Sequence, residues 1–168
     1  MFICLSPGGE STTVGESPRN RLLVGTVEGI FSFHKKNGIW EKHDTWLPGK
    51  HISAVIFEPV SQTLLAGTYG GEIFASSDLG RTWQSRNEGL ESVADREIYS
   101  LACQQVAGRP RVYAGTQPAH LFYSDDLGKS WTELAGLRQV PGVETWTFPG
   151  PPHQAHVKSI TFHPVDPN

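Results

Sequence analysis

The chain has 168 residues, with 18 glycines, 12 prolines, 5 tryptophans and 38% apolar residues. This composition is typical of a turn-rich all-β domain, and no segment has the apolar period of an amphipathic helix. The net charge of −3 gives no reason to expect nucleic acid or an anionic membrane as a partner. Because no cationic region or long apolar run is present at the start, we predict no signal peptide, no transmembrane segment and a cytoplasmic location.

Short β-rich segments, bounded by glycine and proline, follow one another along the chain. Three successive units each contain a strand that ends in Gly-Thr, followed after a short turn by a second apolar strand. The Gly-Thr strands are residues 23–26, 65–68 and 113–116. Their spacing in the forties is typical of repeat architectures, and the four-stranded propeller blade is one of these.

The most specific repeat is an octapeptide of the form S-x-D-x-G-x-[ST]-W, which follows the second apolar strand of the last two units. Its glycine permits a positive φ, its aspartate accepts hydrogen bonds from turn N–H groups, and its tryptophan fills space between sheets. We therefore expect a structural turn and not a metal or catalytic site. In the first unit the motif has decayed to residues 36–40. The shared positions of the two complete copies are Ser76, Asp78, Gly80, Thr82, Trp83, Ser124, Asp126, Gly128, Ser130 and Trp131.

The octapeptide is the Asp box, or bacterial neuraminidase repeat, and the chain resembles the Asp-box β-propellers, especially bacterial sialidase-like and glycosyl-hydrolase-like repeat proteins. The resemblance implies an all-β propeller of four-stranded antiparallel blades. The expected order is blade one at about 1–46, blade two at 51–90, blade three at 97–135, a long rim loop at 135–156 and the first strand of a fourth blade within 157–168. Residues 3–5 are the expected inner strand of blade one.

Propellers close with about four to eight blades, so three blades and one strand leave two open edges. We expect either a truncated gene product or one half of an oligomeric propeller. In both cases self-association through the open blade edges is expected.

The connections between successive blades share the rim opposite to the octapeptides. The third connection is the longest, and it is rich in aromatic residues and proline, as functional loops often are. We predict that this rim binds a protein or a carbohydrate, without a cofactor or a metal ion. The alternative is that the loop only packs over the rim and that its histidines are ordinary polar groups. The candidate ligand-binding residues are His51, Arg96, Glu97, Trp146, His153 and His156.

Catalytic residues are harder to find. The resemblance to sialidases implies an arginine triad that grips a carboxylate, yet the expected first-blade strand, residues 2–5, contains no arginine. Glycoside hydrolysis needs two carboxyl groups in one site, and Glu28 and Glu97 are the weak candidates near this rim. We therefore predict a non-enzymatic binding or assembly scaffold. The alternative is a glycoside hydrolase, sialidase-like or glucan-active, whose site needs further C-terminal blades.

Overall fold

The computed structural model describes residues 20–163, which form three antiparallel sheets and two short 3₁₀ turns. No helix within these residues is long and apolar enough to cross a membrane. The first sheet contains β1 (Arg21–Thr26), β2 (Gly29–Lys36) and β3 (Ile39–Trp46). The second contains β4 (Ile52–Glu58), β5 (Thr63–Thr68), β6 (Ile73–Ser76) and β7 (Gln84–Ser85). The third contains β8 (Glu97–Val106), β9 (Arg109–Gln117), β10 (Leu121–Ser124) and β11 (Thr132–Glu133). The 3₁₀ turns are Ala135–Gln139 and Val143–Thr145.

In each sheet the strands pair in chain order, so each sheet is an antiparallel meander. The second and third sheets have the four strands predicted for a propeller blade, and the three sheets stack face to face as a partial β-propeller. The predicted inner strand of blade one at residues 3–5 lies outside the described residues.

The segment predicted as the first strand of a fourth blade, residues 157–162, is not a strand in the structure. It is nevertheless anchored where an inner strand would begin. The N–H of Val157 donates to the carbonyl oxygen of Thr116 at 3.0 Å, and the hydroxyl of Ser100 donates to the carbonyl oxygen of Val157 at 2.8 Å. A strand needs a ladder partner, and among residues 20–163 no further strand pairs with this segment.

Successive units meet at the glycine of each Gly-Thr strand. A Cβ added to this glycine would collide with, or press tightly against, the β-branched residue that opens the next inner segment. The glycine therefore sets how closely two successive units approach, since only hydrogen fits there. The three pairs are Gly25 with Ile52, Gly67 with Ile98, and Gly115 with Val157.

Two apolar cores fill the seams between the sheets. The core between the second and third sheets is the larger, and Phe122 and Leu65 are fully buried in it. Trp131 belongs to the same core with 5% exposure, and its indole N–H donates to the carbonyl oxygen of Arg86 at 2.9 Å. The smaller core lies between the first and second sheets, and Trp83 is only partly buried beside it.

The octapeptide forms the same hydrogen-bond network in both copies. In the first, Asp78 accepts from the backbone N–H of Thr82 at 2.9 Å, from its hydroxyl at 2.7 Å, and from the hydroxyl of Ser76 at 2.8 Å. The N–H of Gly80 donates to Ser76 Oγ at 2.8 Å. These hydrogen bonds from Thr82 and Ser76 lower the pKa of Asp78 to about 2. The copy at 124–131 repeats each distance to within 0.1 Å.

The decayed copy has become a tight hairpin. Asn37 and Gly38 have φ values of 51° and 84° and form the two-residue turn between β2 and β3, as Asn-Gly sequences often do. The tryptophan that follows, Trp40, is 41% exposed and does not fill a seam. Trp46, near the end of β3, packs in the seam between the first and second sheets, where its ring centroid lies 6.1 Å from that of Trp83.

We predict that Trp131→Ala lowers the free energy of unfolding by about 3–5 kcal/mol, because it empties a buried site and removes an indole hydrogen bond. Trp40→Ala is the matched control. Because Trp40 is exposed, we expect its loss to change the free energy by less than about 0.5 kcal/mol. Urea unfolding followed by circular dichroism measures both, and equal effects would contradict the packing described here.

We also predict that Gly67→Ala lowers the free energy of unfolding by about 1–3 kcal/mol, because the added methyl group overlaps Ile98 across the seam. Gly136→Ala is the control, since no atom lies within 4 Å of a Cβ built there. The same urea titration applies. A Gly67→Ala protein as stable as the Gly136→Ala protein would show that the two units do not depend on this approach.

Candidate functional site

The predicted binding rim is formed where the inner strands β4 and β8 begin and where the long loop returns to the sheets. His51 stands immediately before β4, and His156 stands immediately before Val157. The N–H of Tyr69 donates to the carbonyl oxygen of His51 at 3.0 Å, which places these two residues side by side at the end of the second sheet.

Five rings touch in sequence along this rim. The centroid of His51 lies 4.3 Å from that of Tyr69, which lies 5.2 Å from that of Tyr99. Tyr99 lies 4.1 Å from His156, which lies 4.8 Å from Phe148. We call these five residues the ring row. It begins on the second sheet, crosses the seam to the third sheet, and ends in the long loop.

The end of the long loop closes on itself through His153. The hydroxyl of Thr147 donates to the carbonyl oxygen of His153 at 2.6 Å, and the N–H of His153 donates to the carbonyl oxygen of Gly150 at 2.8 Å. The imidazole Nδ1 of His153 lies 3.2 Å from the carbonyl oxygen of Phe148. The exposed side chain of His153 therefore holds the loop that carries Phe148.

Trp146 lies beside the loop end of the ring row and is 41% exposed. It borders a shallow cavity of about 370 Å³, together with Phe148, His156 and Lys158. On its other side it borders a cavity of about 220 Å³ that His153 also lines. Trp146 thus shares one cavity with His153 and the other with His156.

Arg96 and Glu97 lie at the start of β8. Arg96 donates from Nη1 to the carbonyl oxygen of Val93 at 3.3 Å, so part of its guanidinium is used to hold the preceding connection. Glu97 pairs with Gln117 in the strand register and is half-buried, and this burial raises the pKa of its carboxyl group.

The second carboxylate candidate, Glu28, lies in the first sheet. It is exposed in the turn between β1 and β2, where its N–H donates to the hydroxyl of Thr26 at 3.1 Å. Glu97 opens β8 in the third sheet, so the two candidates belong to sheets that are not consecutive along the chain.

Sequence reasoning did not assign Tyr69, Tyr99 and Phe148 to the site. A signal for Tyr69 was present, since it directly follows the repeated Gly-Thr, where the other units have Val27 and Gln117. Tyr99 follows Ile98 near the start of β8. Nothing in the sequence alone indicates that its ring contacts two other rings.

Comparison with known proteins supports the fold. No protein-family model and no curated protein matches the chain. Among solved structures, the chain is similar to YCF48 bound to D1 peptide, with a TM-score of 0.56 and 21% sequence identity. The match covers 74% of this chain and 40% of that one, so the chain spans less than half the length of this propeller. At this identity the likeness shows a propeller-like fold.

We predict that the ring row makes stability depend on pH. Burial lowers the pKa of both His51 and His156 from the ordinary value of 6.5. Between the folded and unfolded pKa values the unfolded chain binds more protons, so the free energy of unfolding falls as the pH decreases through this interval. Above pH 6.5 the contribution is fully present. Urea titrations at pH about 7.5 and about 5.5 measure the difference.

The control for this prediction is the double variant His51→Gln and His156→Gln. It removes both titrating groups, so we expect a smaller loss of stability between the two pH values. Glu97 has the opposite sign, because its raised pKa favours the protonated folded state at low pH, but it is present in both proteins. An unchanged pH dependence in the double variant would contradict the prediction.

Proposed function

We propose that the chain is a non-catalytic binding module of the Asp-box propeller type, which holds an extended segment of a partner protein along the ring row. The observation that carries this proposal is the unbroken contact of five rings across two sheets and a loop. Rings of this kind offer large apolar faces at a small entropic cost, and their hydroxyl and imidazole groups add directed hydrogen bonds.

The surroundings of the ring row favour a polypeptide ligand. The exposed ring of Trp146 borders the loop end of the ring row. The apolar surface is therefore long enough to contact several side chains of a ligand. Lys158 lines the same cavity, and the ion pair of Lys50 and Glu72 lies next to the first rings. A peptide can match such a sequence of apolar and charged positions along its length. The YCF48 propeller was solved with a peptide bound, which is consistent with this class of ligand.

A carbohydrate ligand is the second form of the same proposal, since flat rings also stack on sugars. A glycoside hydrolase is the alternative function, and one observation favours it. The carboxyl group of Glu97 is half-buried with a raised pKa, as a general acid requires. This alternative also needs a second carboxylate, for which further C-terminal blades are the expected source.

The experiment starts from a defined probe, the D1 peptide labelled with a fluorophore, and from a displayed library of short random peptides selected on the chain. We expect peptides enriched on the parent to lose about tenfold or more in affinity for Tyr99→Leu, which keeps apolar volume but removes the central ring. Fluorescence polarisation measures the affinity of each selected peptide.

The matched control is Trp40→Leu, which removes an exposed ring from the first sheet. Its affinity should equal that of the parent. If no peptide is enriched, or if Tyr99→Leu and the parent bind equally, the ring row is not the peptide site. Oligosaccharide arrays screened in the same way distinguish the carbohydrate form of the proposal. Turnover of a fluorogenic glycoside that is lost in Glu97→Gln would establish the hydrolase alternative.

A further inference from the structure

A second group of polar side chains lines a groove at the opposite rim, where the first sheet meets the octapeptide turn of the second. The groove has a volume of about 530 Å³, which lies in the range of small-molecule sites. It contains no member of the ring row, so it is separate from the proposed peptide site. Its ionisable and aromatic lining residues include Arg21, His34, His43, Asp44, Trp46 and Arg81.

The repeat supplies an internal reference for this groove. The seam between the second and third sheets has an equivalent groove of about 240 Å³, lined mainly by small or neutral side chains. In the repeat register, three positions that carry charge or an imidazole in the first groove are neutral in the second. The corresponding pairs are Arg21 and Thr63, His34 and Ser77, and Asp44 and Gln84. The first groove is thus both larger and chemically distinct.

A β-bulge in β3 places the imidazole of His43 in the groove. Ser32 pairs with Asp44 and Phe33 pairs with Lys42, so His43 is the extra residue on β3. Bulges redirect side chains in this way. His43 stacks on His34, with centroids 4.1 Å apart and an angle of 19° between the rings. Desolvation, His43 and Arg21, in that order, lower the pKa of His34.

The acidic groups of the groove accept hydrogen bonds from neighbouring groups, whereas no residue in the described part of the chain bonds to its guanidinium groups. Asp44 accepts from the N–H of Thr45 at 2.7 Å and from the indole N–H of Trp46 at 3.1 Å. Asp78 is held within the octapeptide. The guanidinium groups of Arg21 and Arg81 form no hydrogen bond or ion pair with residues 20–163. Within residues 20–163, two guanidinium groups without a hydrogen-bonding partner therefore line a groove whose carboxylates accept hydrogen bonds from neighbouring groups.

We propose that this groove binds a small molecule that carries a phosphate or sulfate group. Guanidinium groups match the geometry of such oxyanions, so Arg21 and Arg81 hold the anionic group. The groove is larger than an isolated oxyanion requires, and Trp46 offers an indole to the rest of the ligand. A metal ion does not fit, because the described residues bring together no group of three His, Cys, Asp or Glu ligands.

The test uses phenyl sulfate, which joins an oxyanion to a ring and keeps the same charge across the pH range studied. Isothermal titration calorimetry at low ionic strength gives its affinity for the full chain. We expect saturable binding, weakened about tenfold or more in Arg21→Gln and in Arg81→Gln. Lys129→Gln is the matched control, because Lys129 occupies the position of Arg81 in the second groove. Its affinity should stay within about twofold of the parent.

Two results would overturn the proposal. One is the absence of saturable binding by the parent chain. The other is equal weakening by Lys129→Gln and Arg81→Gln, which would show a general charge effect. Circular dichroism checks the fold of each variant, and Arg81→Gln alone carries the test if Arg21→Gln, which alters a strand residue, fails to fold.

A pH series tests the imidazole pair separately. The charged groups that face the pair are Arg21, Asp44, Asp78 and Arg81, and Glu41 pairs with His34 across the strands. Protonation of His34, which stacks on His43, adds positive charge to the groove, so affinity for phenyl sulfate should rise about threefold or more from pH about 7.5 to about 5.5. The rise should be absent from the double variant His34→Gln and His43→Gln. A parent affinity independent of pH would overturn the role given to the imidazoles.

Discussion

The structure depends on the close approach between each Gly-Thr strand and the segment that opens the next unit. At Gly67 no side chain stands between the second sheet and Ile98, and an added Cβ would overlap the Ile98 side chain. The same contact recurs at Gly25 and Gly115. Because His51 and His156 directly precede the β-branched partners of these glycines, the packing that fixes the sheet spacing also fixes where the two imidazoles lie.

The sequence could predict those parts of the fold that depend on interactions between residues close together in the chain. The octapeptide contains its own donors and acceptors, so its turn could be predicted at both copies, and β5 contains the Gly-Thr segment at 65–68. The segment 157–162 has the pattern of a strand but lacks the partner that makes one. Likewise Trp40 keeps the motif's residue, yet the Asn-Gly hairpin leaves it exposed.

The site shows the same division. His51 and His156 could be predicted from their place before an inner segment, and Trp146 from the composition of the long loop. The contact between Tyr69 and Tyr99 could not, because it depends on how two sheets face each other across a seam. The bulge that brings His43 onto His34 is a register effect between β2 and β3, and no single strand sequence determines it.

Because the ring row crosses from the second sheet to the third, ligand binding there would affect the stability of the contact between these sheets. Tyr69 directly follows β5 of the second sheet and Tyr99 lies in β8 of the third, so a ligand lying over both would bridge two sheets that share an apolar core and hydrogen bonds. Binding free energy then adds to the resistance of that seam to opening. By thermodynamic reciprocity, a change that destabilises the contact between the two sheets also lowers the affinity for such a ligand. Ligand binding at the ring row and the stability of the contact between the second and third sheets would therefore be thermodynamically linked.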